Sequence, residues 1–141
     1  MTMIETKVIL DARTRILVVD DQPFIRNMVK AILKGFGLND VMTADDGNRA
    51  IDMLTEGNFD AVICDWNMPI VTGIDVLKHL RSMGSKSRIP FIMLTAEAYR
   101  ENIVAALEAG VTDYISKPFT SDILGEKLAR AISKAKSQGI I

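Results

Sequence analysis

Five polar residues stand where apolar runs stop. Asp20 and Asp21 follow RILVV, Asp65 follows AVIC, Thr95 follows FIML, and Lys117 comes just after DYIS. Singly, an aspartate in such a place is more often a turn former or helix cap, and a lysine a solvated surface group. Jointly they suggest chemistry. Carboxylates gathered at one edge repel, and two charges about 4 Å apart interact by roughly 4 kcal/mol at an effective dielectric near 20. Either a proton is retained or a cation is held. An all-oxygen donor set favours a hard ion, and Mg²⁺ fits, since it takes one or two carboxylates, waters and a phosphate oxygen. Lys117 would then neutralise an incoming phosphoryl group, and Thr95 would donate a hydrogen bond to it. No serine–histidine pair is present to make a hydroxyl nucleophilic, so a carboxylate would attack. Asp65 stands alone between the acidic pair and the lysine and is the best candidate.

These residues need a frame that brings their run ends together. RILVV, DVMTA, FDAVICD, IPFIMLT and VTDYIS read as strands. Each is followed by a segment with apolar residues at helical spacing, such as Ile25, Met28, Val29, Ile32 and Leu33 after Pro23. Pro23 suits a first helical turn and Gly35 a helix end. Asp45 and Asp46 suit a turn and cap before the second helix, and Thr120 or Ser121 a cap for the last. Strand–helix alternation predicts an α/β fold, a parallel sheet with helices on both faces and right-handed crossovers. The near-continuous apolar character of the third strand requires cover on both sides. In such sheets ligands bind beyond the carboxyl ends of the strands, where all five polar residues fall.

The remaining composition narrows the class. With 141 residues the chain suits one domain, and 48% hydrophobic residues supply a core. A net charge of −1 gives no support for a general nucleic-acid or anionic-membrane binder. The single cysteine, Cys64, excludes an internal disulfide and suits core packing in a reducing compartment. No segment reaches the length of a membrane span, and the first residues lack the pattern of a secretory signal. The expectation is a soluble cytoplasmic protein without membrane insertion. Residues 1–13 and 134–141 read as an extension and a tail around a domain at 14–133.

The motifs VVDDQ, ICDWNMP, MLTAEA and YISKPF, in that order, resemble the receiver domain of bacterial response regulators, and the resemblance covers about residues 14–133. DWNMP, TAEAYRENI and KPFTSDILGEKL are most similar to the single-domain chemotaxis type, itself a standard example of the flavodoxin-like sheet. The resemblance implies a doubly wound five-stranded sheet of order 2-1-3-4-5 with five helices. It also implies that Asp65 takes a phosphoryl group from a histidine kinase. Asp21, Asp65 and the backbone carbonyl of Asn67 would bind Mg²⁺, with Asp20 reaching it largely through water. Lys117 would bridge to phosphoryl oxygens, and a cis peptide would precede Pro118. Thr95 and Tyr114 correspond to a switch pair that biases the surface of the fourth helix, fifth strand and fifth helix. Asn67 and Glu97 would set how fast water reaches the acyl phosphate. Arg100, Ile103, Leu107, Tyr114 and Lys127 would form the partner surface, with Ile103 and Leu107 as an exposed apolar ridge beside Lys127. The family often has MPxMDG where this chain has MPIVTG, a loop expected to tolerate the change.

The implied function is a signalling module that catalyses only its own phosphorylation and dephosphorylation. Its downstream target would be a flagellar switch component or a phosphotransfer protein. A phosphorelay intermediate, or a receiver belonging to a larger regulator or hybrid kinase, is the alternative. A Mg²⁺-dependent aspartyl phosphatase fits less well, because Asn67 cannot transfer a proton where those enzymes carry a second aspartate. His79, on the third helix, and the eight methionines carry no functional weight.

Overall fold

The computed structural model describes residues 10–96 and 100–141, except for the side chains of Arg100 and Glu101. Its elements, in chain order, are β1 (Arg15–Val19), α1 (Pro23–Gly35), β2 (Asp40–Ala44), α2 (Gly47–Glu56), β3 (Ala61–Asp65), α3 (Gly73–Arg81), β4 (Phe91–Thr95), α4 (Arg100–Glu108), β5 (Asp113–Ser116) and α5 (Ser121–Ser137), with a 3-10 turn at Gly84–Lys86. The strands form one sheet of order β2-β1-β3-β4-β5, every neighbouring pair parallel. This is the flavodoxin-like order implied by the motifs.

Alternating strand residues serve two cores. Leu17, Val19, Val62, Cys64, Phe91 and Met93 face Leu54 of α2, Leu77 and Leu80 of α3, and Ala106 of α4. Ile16, Val18, Ile63, Ile92 and Leu94 face Val29 and Leu33 of α1 and Leu124, Leu128 and Ile132 of α5. Both central strands β3 and β4 are buried along their whole length, which explains their unbroken apolar runs.

Local chemistry sets the element ends. Pro23 opens α1, whose last turn is closed by Gly37 at φ 93°, a left-handed position that favours glycine. The helix ends at Gly35, as the sequence suggests, and Gly37 closes the turn that follows. Asp46 caps α2 by accepting from the Arg49 amide at 2.7 Å, and Thr120 caps α5. The last turn of α2 has no basic residue of its own. Lys86 supplies the cation from a distance, its Nζ donating to the carbonyls of Leu54, Thr55 and Gly57 at 2.8, 2.9 and 2.7 Å.

The expected loose ends are partly tied down. Leu10 is buried and its amide donates to the Phe36 carbonyl. Helix α5 runs four residues past 133 to Ser137, and Ile141 packs against the core on the α1 and α5 side. Apolar side chains at both ends find the same core face, which their place near the termini did not suggest.

Two substitutions test this framework. A Cβ on Gly73 would lie 2.4 Å from the Asp65 carbonyl oxygen and 2.7 Å from the Met93 sulfur. Gly73→Ala is expected to destabilise the fold by about 1–3 kcal/mol in urea unfolding, although alanine is the better helix former. Lys86→Met should cost about 1–2 kcal/mol by the same measurement, from the loss of charge-assisted bonds to the end of α2.

Candidate functional site

The parallel register places the carboxyl ends of β1, β3 and β4 side by side, with Val19 opposite Cys64 and Asp65 opposite Leu94. Asp20, at 0% exposure, leaves β1, and its Oδ1 accepts from the Gln22 amide at 2.9 Å, turning the chain into α1. Asp65 ends β3 at 6% exposure and Thr95 ends β4 at 2%. Past β5, the Lys117 amide donates to the Thr95 carbonyl at 2.7 Å, which fixes where the lysine leaves the sheet. Its peptide bond to Pro118 is cis. The Lys117 ammonium then reaches back to Asp65 Oδ1 at 2.8 Å and Asp20 Oδ2 at 3.4 Å. One carboxylate oxygen each from Asp20, Asp21 and Asp65 lies within 4.8 Å of the others. Asp21 is the exposed member, at the mouth of the pocket.

Electrostatics follow from this packing. Burial pushes the Asp65 carboxyl above its usual range, and Asp20 and Asp21 push the same way against the Lys117 ammonium. For Lys117, burial acts to lower the pKa, but the bond and charge of Asp65 and the charge of Asp20 outweigh it and the net direction is up. One ammonium against three carboxylates leaves a charge deficit that a divalent cation would balance. The donors are all oxygens, and oxygens around Mg²⁺ lie about 2.1 Å from the ion, so opposite ligands stand about 4.2 Å apart. The 4.8 Å cluster is close to that span, so the residues fit the ion. Among the described residues, none donates to the Asn67 carbonyl. The Cys64 thiol is driven well up by burial, with Asp65 and Asp20 adding to the effect, and it remains a core thiol.

The loop after Asp65 folds back on itself. Trp66 is half-buried, Met68 is buried and the Gly73 amide donates to the Trp66 carbonyl at 3.0 Å. Ile70 sits at φ 68° in a three-residue turn closed by the Val71 amide on the Pro69 carbonyl at 2.7 Å. Thr72 and Asp75 form a reciprocal capping box on α3, and a Cβ on Gly47 would fall 2.5 Å from Val71, so this segment anchors both α2 and α3.

Arg26 escaped the reading of the motifs. Its guanidinium donates to the Asp20 carbonyl at 2.7 Å and thereby braces the acidic turn from α1. The available signal was spacing: Arg26 stands three and seven residues before the buried Val29 and Leu33, on the inward side of the helix.

The other expected residues form a separate surface. Tyr114 is half-buried against the core on the α2, α3 and α4 side. Lys127 is committed to β5, donating to Asp113 Oδ1 at 3.1 Å and the Tyr114 carbonyl at 2.8 Å, with its ammonium 5.2 Å from the Tyr114 ring centre. The apolar ridge on α4 differs from the expected pair. Ile103 is half-buried, and the exposed members are Val104 and Leu107. Residue 104 turns outward because Ala106, two residues on, faces the core. Arg100 opens α4. Glu97 lies outside the described residues. His79 is exposed on α3.

Residues 16–129 match the family model of the response regulator receiver domain. The chain is 46% identical over 126 residues to chemotaxis protein CheY-3 of Vibrio cholerae serotype O1, covering 89% of this chain and 97% of that protein. Among solved structures, chemotaxis protein CheY4 of Vibrio cholerae superposes with a TM-score of 0.78 at 36% identity, over 84% of this chain and 98% of that one. The receiver domain of a sensor histidine kinase from Pseudomonas aeruginosa PAO1, which has a magnesium ion coordinated in its active-site cleft, also superposes at 0.78, with 31% identity over 85% of this chain and 98% of that one. With the acidic pocket and the five-stranded order already described, these matches establish that the chain belongs to the response regulator receiver domain family, in its CheY-like form.

Proposed function

We propose that Asp65 accepts a phosphoryl group from a phosphohistidine of a kinase and that the resulting charge is read out at the α4–β5–α5 surface. The observation that carries this reading is the Lys117 ammonium, held between Asp65 and Asp20 inside a three-carboxylate pocket. A carboxylate oxygen of Asp65 attacks phosphorus, the phosphorus–nitrogen bond of the donor breaks, and an acyl phosphate forms on Asp65. Lys117 stays with the phosphoryl oxygens and offsets their charge. Mg²⁺, held by Asp20, Asp21, Asp65 and the Asn67 carbonyl, supplies the remaining positive charge when bound. Arg26 keeps the Asp20 turn in place. Glu97 and Asn67 tune the access of water to the acyl phosphate. The module turns over only its own phosphoryl group and acts in the cytoplasm.

Thr95 and Tyr114 carry the signal outward, Thr95 by moving toward the phosphoryl group and Tyr114 by filling the space it leaves. The exposed Val104 and Leu107 then belong to the responding surface. The similarity to two chemotaxis proteins of Vibrio cholerae supports a flagellar switch component as the target. The similarity to a receiver carried by a histidine kinase supports a relay to a phosphotransfer protein as the second reading.

Two measurements test the site. Asp65→Asn should abolish labelling by acetyl phosphate in the presence of Mg²⁺, and a stable phosphoprotein from that variant would refute the assignment. Trp66 is the sole tryptophan and adjoins Asp65. Its fluorescence should therefore change saturably with Mg²⁺ and return on chelation, whereas a flat titration would remove the metal from the mechanism.

A further inference from the structure

The acidic pocket occupies one edge of the sheet. At the other edge, where β4 and β5 begin, a cavity of about 310 Å³ opens between the ends of α3 and α5. Pro90 and Thr112, which directly precede those strands, line it, and Val111, Ala131, Ala135 and Ile140 give it apolar walls. Three cations, Arg81, Arg88 and Lys134, also line it, and no aspartate or glutamate among the described residues does.

The three cations differ in kind. The Arg81 guanidinium is spent on neutral acceptors, donating to the carbonyls of Gly110, Ser87 and Ile89 at 2.8, 3.1 and 2.6 Å and to Thr112 Oγ1 at 3.5 Å. Burial lowers its pKa, as expected for a charge stabilised by dipoles with no carboxylate opposite. It is a fixed part of the wall and contributes positive potential. Arg88 and Lys134 are exposed, and among the described residues neither side chain has an ion pair or hydrogen bond. Their charges remain available to a ligand.

The geometry points to a second binding site in this cavity, for a small organic anion whose phosphate or carboxylate head meets Arg88 and Lys134 while an apolar body lies against Val111, Ala131 and Ala135. The volume is at the small end of ligand cavities, which suits one ring or a short chain with its head group. A neutral apolar molecule would leave the potential of three cations unanswered. A bare inorganic ion would leave the apolar walls wet.

Phenyl phosphate, inorganic phosphate, benzyl alcohol and polyglutamate, titrated separately into the Mg²⁺-free chain and followed by amide resonances, test the proposal. Phenyl phosphate should shift Val111, Thr112, Ala135 and Gln138 saturably, and more tightly than inorganic phosphate or benzyl alcohol. The Arg88→Glu/Lys134→Glu double variant should weaken that binding about tenfold or more, equivalent to about 1.4 kcal/mol, while acetyl phosphate labelling of Asp65 is unchanged. Equal, non-saturating shifts with all three small probes would overturn the site. Shifts from phenyl phosphate centred on Lys117 instead would do the same. Saturation by polyglutamate with phenyl phosphate inert would replace the small anion with an acidic protein segment.

Discussion

The pairing of Lys117 with Asp65 and Asp20 is the constraint around which the rest of the domain is arranged. Two of these carboxylates are almost wholly buried, and burial of an unpaired charge costs several kcal/mol. The ammonium offsets that cost, but only if three strand ends and the segment after β5 arrive in register. The Lys117 amide bond to Thr95 and the Arg26 bond to the Asp20 carbonyl act on this arrival directly. Gly73 acts on it by letting α3 start in contact with the Asp65 carbonyl. The apolar layers of the sheet are therefore also the positioning device for its polar edge.

How much of this was legible depended on whether a signal was local. Strand runs and their terminal polar residues lie within a few positions of one another, so RILVV ending at Asp20 and AVIC ending at Asp65 could be read directly. The caps Asp46 and Thr120 were readable for the same reason. Contacts spanning long separations were not. Lys86 secures the end of α2 from about thirty residues away, and nothing in its neighbourhood announces this. Lys127 was expected on the partner surface, and its bond to β5 thirteen residues back could not be read from its neighbours. Strand order came from family resemblance, since alternation alone dictates a parallel sheet but not its permutation. The role of Val71 and Thr72 was missed because a departure from a family motif says what is absent, whereas the capping box depends on Asp75 three residues on.

The two edges of the sheet have opposite electrical character. Acids outnumber the lysine beyond the carboxyl ends, while the charged residues among the described lining of the cavity at the amino ends are all cations. The connecting medium is the fully buried pair β3 and β4, which leaves no solvent path between the edges. Strands β4 and β5 span both regions: β4 follows Pro90 and ends at Thr95, and β5 follows Thr112 and leads into Lys117.

Ile70 has a consequence of a different kind. Its side chain is 93% exposed, yet its backbone occupies a conformation that a β-branched residue adopts at a cost of about 1–3 kcal/mol. No contact of the side chain explains this, so the distortion must be imposed from both flanks, by the Trp66–Gly73 bond on the way out of β3 and by the capping box on the way into α3. A span held taut by its anchors has little freedom to sample other shapes. The segment bordering Asp65 is thus pre-set in the folded chain, and entropy that a slacker loop would lose on binding any ligand has already been spent in folding.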